Sequence, residues 1–127
     1  MTDTLIPPRA GKDGGKDGIN PRHVLQTYGI GDTFTPDVTQ YALTRGLRVD
    51  QVSNGNLPLT NIAEEPTPVS GNKWVDGHNI TGIVALYEPN PGGDGHYVVF
   101  DLATAQRQVT HFLGTAVRDG TPTVVAP

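Results

Sequence analysis

Residues 74–117 decide the predicted fold; they read WVDGHNITGIVALYEPNPGGDGHYVVFDLATAQRQVTHFLGTAV. The stretch contains three runs rich in Val, Ile, Tyr, Phe and Thr, at residues 80–87, 96–102 and 108–117. Such residues fit a pleated, half-buried surface, so each run is interpreted as a β-strand. A Pro- and Gly-rich turn separates the first two runs, and a short link separates the last two. Because consecutive strands with short links usually pair, we predict a mainly antiparallel sheet, built as a meander.

Both faces of this predicted sheet carry apolar side chains. Successive residues of a strand point to opposite faces. In the first run this gives two sets, one of Ile80, Val84 and Leu86 and the other of Ile83, Ala85 and Tyr87. We therefore expect a sheet covered on both sides, or a small barrel. We expect its core to contain the aliphatic residues of 80–86 together with Val98, Phe100 and Leu113.

The composition limits the class of protein. A chain of 127 residues is long enough for one domain with a single modest core. The absence of cysteine excludes disulfides, thiolate metal ligands and a cysteine nucleophile. The net charge of −4 argues against non-specific binding of nucleic acid. The sequence has no apolar run approaching about 18 residues and no hydrophobic leader, so we expect neither a membrane span nor a signal peptide.

Two short helices are predicted before the sheet. Asn20, Pro21 and Gly29 have the order of an N-cap, a first helical residue and a helix end. The same order of a capping residue, a proline and a glycine recurs over residues 35–46. Neither helix is long enough to be stable alone, so both are expected to pack on the sheet.

The segments around these helices are predicted to be extended or irregular. Residues 47–52 alternate as a strand does, and Asn54-Gly55 is a strong turn signal. Residues 56–73 are polar and interrupted by proline, which predicts a long surface segment. Residues 121–127 are interpreted as an edge strand or a second arm. Together the pattern predicts one α+β domain over residues 20–127.

Residues 1–19 form a Gly- and Pro-rich arm ahead of that domain. A Gly-Lys-Asp-Gly repeat at 11–14 and 15–18 cannot bury enough apolar surface to order itself. One interpretation is a flexible, solvated terminus. The other is a segment held extended by Pro7-Pro8 and bound to a neighbouring subunit. In that case the contact residues are Leu5, Ile6, Arg9, Lys12 and Lys16.

The histidines suggest a metal site only weakly. His78 and His96 flank the first predicted strand and its turn, with Asp76, Asp94 and Asp101 nearby. No spacing among them is diagnostic, and His96 fits a regular strand alternation, so we expect neither a metal nor another cofactor. The two serines, Ser53 and Ser70, lack a G-x-S-x-G setting. We therefore expect no catalytic residues and no peptidase or esterase activity, although an enzyme using Asp and His stays open as a minor alternative.

One resemblance is to the small lambda-type capsid-decoration proteins of tailed phages. Asp76-Gly77 leads into Gly82-Ile-Val-Ala85, and Gly114-Thr-Ala-Val117 follows later. Members of that family have a Pro/Gly-rich N-terminal arm and a β-rich body with such strands. The resemblance covers the arm and the C-terminal third, and it implies a structural protein of a virion.

A second resemblance is to papain-like bacteriocin-processing peptidases. It rests on residues 18–30, on Arg45-Gly-Leu, and on Gly95-His-Tyr-Val-Val-Phe100. In that family a cysteine opens the first helix, and the histidine of the Gly-His-Tyr/Phe-Val-Val strand is its base. Here Asn20 stands where the helix would open, so the resemblance implies a catalytically dead binding or immunity module.

Taken together, these features predict a non-enzymatic structural subunit of a multi-subunit assembly, with a phage virion as the expected assembly. Its partners would be other protein subunits of that assembly, including copies of itself, and not nucleic acid or membrane. Its expected location is the virion, or the cytoplasm before assembly. In this reading, affinity comes from many repeated contacts rather than from a single site.

Overall fold

The structure, a computed structural model, describes residues 21–127. Its elements in chain order are β1 (Val24–Gly29), α1 (Asp37–Leu47), β2 (Asp50–Val52), β3 (Val69–Ser70), β4 (Lys73–Val75), β5 (His78–Ile80), β6 (Gly82–Tyr87), α2 (Val98–Asp101), α3 (Ala103–Asp119) and β7 (Thr123–Val124). A 3₁₀ turn over Gly95–Tyr97 leads directly into α2. The mixture of helices and short strands confirms the α+β class.

Three parallel strands form the central sheet, in the order β1–β6–β2. Val24 pairs with Gly82 on one side of β6, and Asp50 pairs with Ile83 on the other. All six residues of β6 are buried. A parallel strand covered on both faces needs a continuous apolar sequence, which β6 has. The strand predicted over residues 80–87 is therefore confirmed for residues 82–87, with Ile80 ending the separate strand β5, whereas the prediction of a mainly antiparallel sheet is wrong for the central sheet.

Each face of the central sheet packs against helices. One apolar cluster lies on the α1 side and contains Tyr28, Val49, Val75, Ile80, Val84 and Leu86. The other lies on the α2–α3 side and contains Val52, Val69, Ile83, Ala85, Tyr87, Val98, Ala105, Phe112 and Val124. The predicted alternation along the first run is thus confirmed, and so is a sheet covered on both sides. The sheet does not close into a barrel.

Two antiparallel pairs, β3–β7 and β4–β5, complete the described part of the fold. The β7 strand confirms the strand interpretation of residues 121–127. Asn54 and Gly55 both have positive φ, 51° and 89°, which confirms the predicted turn. Between that turn and β4 the chain is mostly irregular, apart from β3 and a bridge of Gln51 to Glu64.

The second and third predicted strands are wrong, because residues 95–101 and 103–119 are helical. Within α3 the buried residues are Ala105, Gln108, Phe112 and Thr115, which recur three or four positions apart. That spacing places them on one helix face, and the β-favouring composition does not outweigh it. Of the predicted core residues, Val98 is buried, but Phe100 is 76% exposed and Leu113 is 59% exposed.

The first predicted helix is also wrong, because Val24–Gly29 is a strand. Its buried residues include Gln26 and Tyr28, spaced by two, and it is paired along its whole length with β6. The second predicted helix is confirmed as α1. It ends one residue later than its glycine suggested, at Leu47, because Arg48 takes the left-handed conformation that caps it.

Candidate functional site

A carboxylate and a histidine meet beyond the carboxyl ends of β1 and β6. Asp32 lies in the loop that follows β1, and His96 lies in the 3₁₀ turn that follows β6. Because β1 and β6 are parallel neighbours, both loops emerge at the same edge of the sheet. His96 Nδ1 lies 3.3 Å from Asp32 Oδ2. Ligand sites of open parallel sheets typically lie at this edge.

Asp32 is held in place by its own loop. Its Oδ1 accepts hydrogen bonds from the backbone amides of Phe34 and Thr35, both at 2.8 Å. Burial alone would raise the pKa of this carboxyl, but these two bonds and the contact with His96 lower it below its ordinary value of 3.8. Asp32 is therefore ionised at neutral pH, with Oδ2 directed at the imidazole.

His96 is partly exposed and is surrounded by aromatic rings. Its ring centroid lies 4.5 Å from that of Phe34 and 5.0 Å from that of Tyr97. An ionised carboxylate can only accept, so Nδ1 carries the proton that lies between it and Asp32. The other ring nitrogen, Nε2, then presents a lone pair that can take a proton from a second group.

A second aspartate ties the two loops together. Asp94 accepts hydrogen bonds from the Thr33 amide, at 3.1 Å, and from the Thr33 hydroxyl. It also accepts one from the His96 amide, at 2.9 Å. The hydrogen bond from the Thr33 side chain is the main reason that the pKa of Asp94 is lowered. Asp94 thus fixes the backbone of His96 relative to the loop that carries Asp32.

Two glycines permit this approach of the loops. A Cβ added to Gly29 would lie 1.8 Å from the carbonyl oxygen of Gly95. A Cβ added to Gly95 would lie 2.4 Å from the carbonyl oxygen of Ile30. Any side chain at either position would push the two backbones apart, and His96 is the residue directly after Gly95.

A groove of about 450 Å³ opens beside the pair. Its walls come from β1, α1, α2 and the two loops that carry Asp32 and His96, and they include Thr27, Leu43 and Val99. Carbon-rich walls with an acid–base pair at one end suit an extended, largely apolar group.

The pair has the first two members of a nucleophilic catalytic triad, but no third member among residues 21–127. Ser53 and Ser70 make no hydrogen bond to His96, and within that range its side chain bonds only to Asp32. A hydroxyl nucleophile would have to come from elsewhere.

The sequence-predicted site residues are only partly brought together. The structure places His96 with Asp94, whereas Asp76 and His78 lie at the β4–β5 hairpin, before the amino end of β6. The two histidines therefore lie beyond opposite ends of β6. No group of three His, Cys, Asp or Glu residues suited to a metal occurs in the described range. The expectation of no metal stays a prediction.

The proposed contact residues Leu5, Ile6, Arg9, Lys12 and Lys16 lie outside the described residues. Asp32 was not found from the sequence, because the segment before it was predicted to be a helix. An aspartate directly after a buried strand, with amides two and three residues later to bind, was the available signal.

Comparisons with protein-family models, curated proteins and solved structures give no match for this chain. Among the described residues, no helix is long and apolar enough to cross a membrane.

Proposed function

We propose that this chain supplies the acid–base half of a hydrolytic, acyl-transferring site. The observation that carries the proposal is the contact of Asp32 Oδ2 with His96 Nδ1 at the carboxyl edge of a parallel sheet. In such a site the carboxylate fixes the tautomer and orientation of the imidazole, and the imidazole takes the proton of a nucleophile. In this chain Asp32 is the carboxylate that orients the imidazole, and His96 is the general base.

The order of the residues along the chain supports the same proposal. In hydrolases built on parallel sheets, the acid and the histidine follow the nucleophile in the order Asp, then His. Asp32 follows β1, α1 comes next, and His96 follows β6. The support is an analogy with the order of the acid and the histidine in those hydrolases. The nucleophile would come from residues 1–20 or from another polypeptide, and His96 Nε2 is the atom that would meet it.

The proposal can be tested without the nucleophile, using p-nitrophenyl acetate. The neutral Nε2 of His96 attacks the ester carbonyl, p-nitrophenolate leaves, and water then hydrolyses the acyl-imidazole to acetate. We expect protein-dependent release of p-nitrophenolate that His96→Ala abolishes and that Asp32→Asn lowers by about tenfold or more. The matched control is His78→Ala, which removes an exposed histidine from β5.

Two results would contradict the proposal. One is a rate that His96→Ala leaves unchanged. The other is an equal loss with His78→Ala, because ordinary surface imidazole would then explain the reaction. Circular dichroism of each variant would show that the fold is retained.

A structural role in an assembly is a second proposal, and exposed apolar side chains favour it. Trp74, Phe100 and Val117 are 67%, 76% and 90% exposed. Aromatic and aliphatic side chains of this size are the kind that subunit contacts bury. A phage virion, as suggested by the decoration-protein resemblance, is the assembly we propose. Of the segments on which that resemblance rests, 82–85 lies in a strand and 114–117 in a helix.

The papain-like module gains less support. Residues 24–29 are a strand where that resemblance implies a helix, and Gly95–Tyr97 begins a helical segment where it implies a strand.

A further inference from the structure

The central sheet has an open edge at β1. Gly29 is already satisfied on that side, because its amide donates to Gln40 Oε1 at 3.0 Å and its carbonyl accepts from Gln40 Nε2 at 2.8 Å. Alternate residues of a strand point their backbone groups to the same side. The amides and carbonyls of Leu25 and Thr27 therefore face the same edge, and no partner for them occurs within residues 21–127.

The groove described above runs along this open edge. Leu43 of α1, which is 52% exposed, and Val99 of α2 form its apolar walls beside Thr27. A strand edge flanked by aliphatic side chains is the surface to which extended peptides add. The backbone groups bind the main chain of the peptide, and the walls bind every second side chain.

The end of the groove next to the loops is acidic. Asp32 lines this end, and Asp37 and Asp94 bind the same loop, since their carboxylates accept hydrogen bonds from the Gly31 and Thr33 amides. A fitting peptide would therefore have aliphatic residues followed by a basic one.

We infer that the N-terminal segment of the chain itself occupies this edge in the isolated protein, with Leu5 and Ile6 against the groove walls. Pro7-Pro8, which cannot donate to a strand, would end the pairing, and Arg9 would then reach the aspartates. The inference goes beyond the proposed functions. In an assembly, an arm of a neighbouring copy would make the same contact by exchange.

The length of the chain allows this contact. Eleven residues lie between Arg9 and Pro21, and the twelve Cα–Cα steps that join the two can span up to about 40 Å. The six residues of β1 extend roughly 20 Å. A tether of this length gives a millimolar effective concentration, which favours the segment of the same chain over a dilute second copy.

Hydrogen exchange measured by NMR on the full chain tests the inference. We expect the Leu25 and Thr27 amides to be protected, and to exchange on the order of tenfold faster in the Leu5→Ser/Ile6→Ser double variant. Leu57→Ser, at another exposed leucine, is the control and should change neither amide. Light scattering should show the same molar mass for all three proteins at micromolar concentration.

Two outcomes would overturn the inference. Equal exchange of the Leu25 and Thr27 amides in the full chain and in the double variant would show that the arm does not bind the β1 edge. Protection that disappears on dilution, with a falling molar mass, would assign the groove to a second copy. The p-nitrophenyl acetate assay with His96→Ala tests the proposed site separately, because the exchange of the Leu25 and Thr27 amides does not require catalysis by His96.

Discussion

Asp32 and His96 meet because Gly29 and Gly95 allow two backbones to touch. The sequence shows that Gly29 and Gly95 carry no side chain, but it does not show why no side chain would fit there. Gly95 belongs to a run rich in Gly and Pro that was interpreted only as a turn. The close contact of its carbonyl with Gly29 depends on how β1 and β6 pair.

Gly95→Ala should therefore disturb the site. The added Cβ would lie 2.4 Å from the Ile30 carbonyl, so the His96 turn must move away from Asp32. We expect a lower melting temperature and a p-nitrophenyl acetate rate reduced about as much as in Asp32→Asn, because the imidazole stays but loses its carboxylate partner. Gly114→Ala is the control, since nothing lies within 4 Å of its added Cβ. In a helix that change should stabilise the protein by about 0.5–1 kcal/mol. Full activity of Gly95→Ala would show that the loops tolerate separation.

His23 predicts a pH dependence of stability. The Thr81 amide donates to His23 Nδ1 at 3.0 Å, and burial lowers the pKa of His23 below 6.5, although a hydrogen bond to the Gly120 backbone opposes this. The unfolded chain then binds the proton more readily, so stability is fullest above pH 6.5 and falls as the pH decreases. The melting temperature should fall more steeply below pH 6.5 in the wild type than in His23→Asn, whose Oδ1 can still accept. Parallel curves would contradict this.

At the scale of elements, residues 96–119 show two signals in competition. Their Val, Phe, Thr and Tyr content favours strands. Their buried positions recur with helical spacing, and α3 buries that face against β7 and the sheet. The spacing prevails because burial of a whole face stabilises a helix more than intrinsic propensity does. In β1 the strand forms instead of a helix. Pairing with β6 outweighs the helix-start signal at Pro21 and the helix-end signal at Gly29.

The helical structure of this segment buries Phe112 and exposes Phe100, so alanine variants at the two positions should differ in stability. Phe112 is 7% exposed in the α3 side of the core, and Phe112→Ala should cost about 3–5 kcal/mol of unfolding free energy. Phe100 is 76% exposed, so Phe100→Ala should change stability by no more than about 0.5 kcal/mol. Urea unfolding of both variants measures the difference. A large loss of unfolding free energy in Phe100→Ala would show that Phe100 is buried, as the strand prediction requires.

At the scale of the whole molecule, the described domain has cores on both faces of its sheet that do not require the arm. Deletion of residues 1–18 should therefore leave the domain folded, with its melting temperature lowered only by the loss of the arm's contact with the β1 edge. If the arm binds neighbouring subunits in an assembly, the same deletion should abolish incorporation, which sedimentation of the assembled particles would measure. Normal assembly without the arm would remove it from the subunit contacts. Failure of the truncated chain to fold would place it in the domain's own core.

The sequence alone determined the apolar alternation of residues 80–87, the α1 helix and the Asn54-Gly55 turn. These depend on local periodicity and on backbone preferences of single residues, which are readable one segment at a time. Only the tertiary structure decided that β1 is a strand, that α3 is a helix, and that Asp32 lies 3.3 Å from His96. Those outcomes depend on pairing and burial between residues far apart in the chain. Local propensities of a few tenths of a kcal/mol cannot specify them.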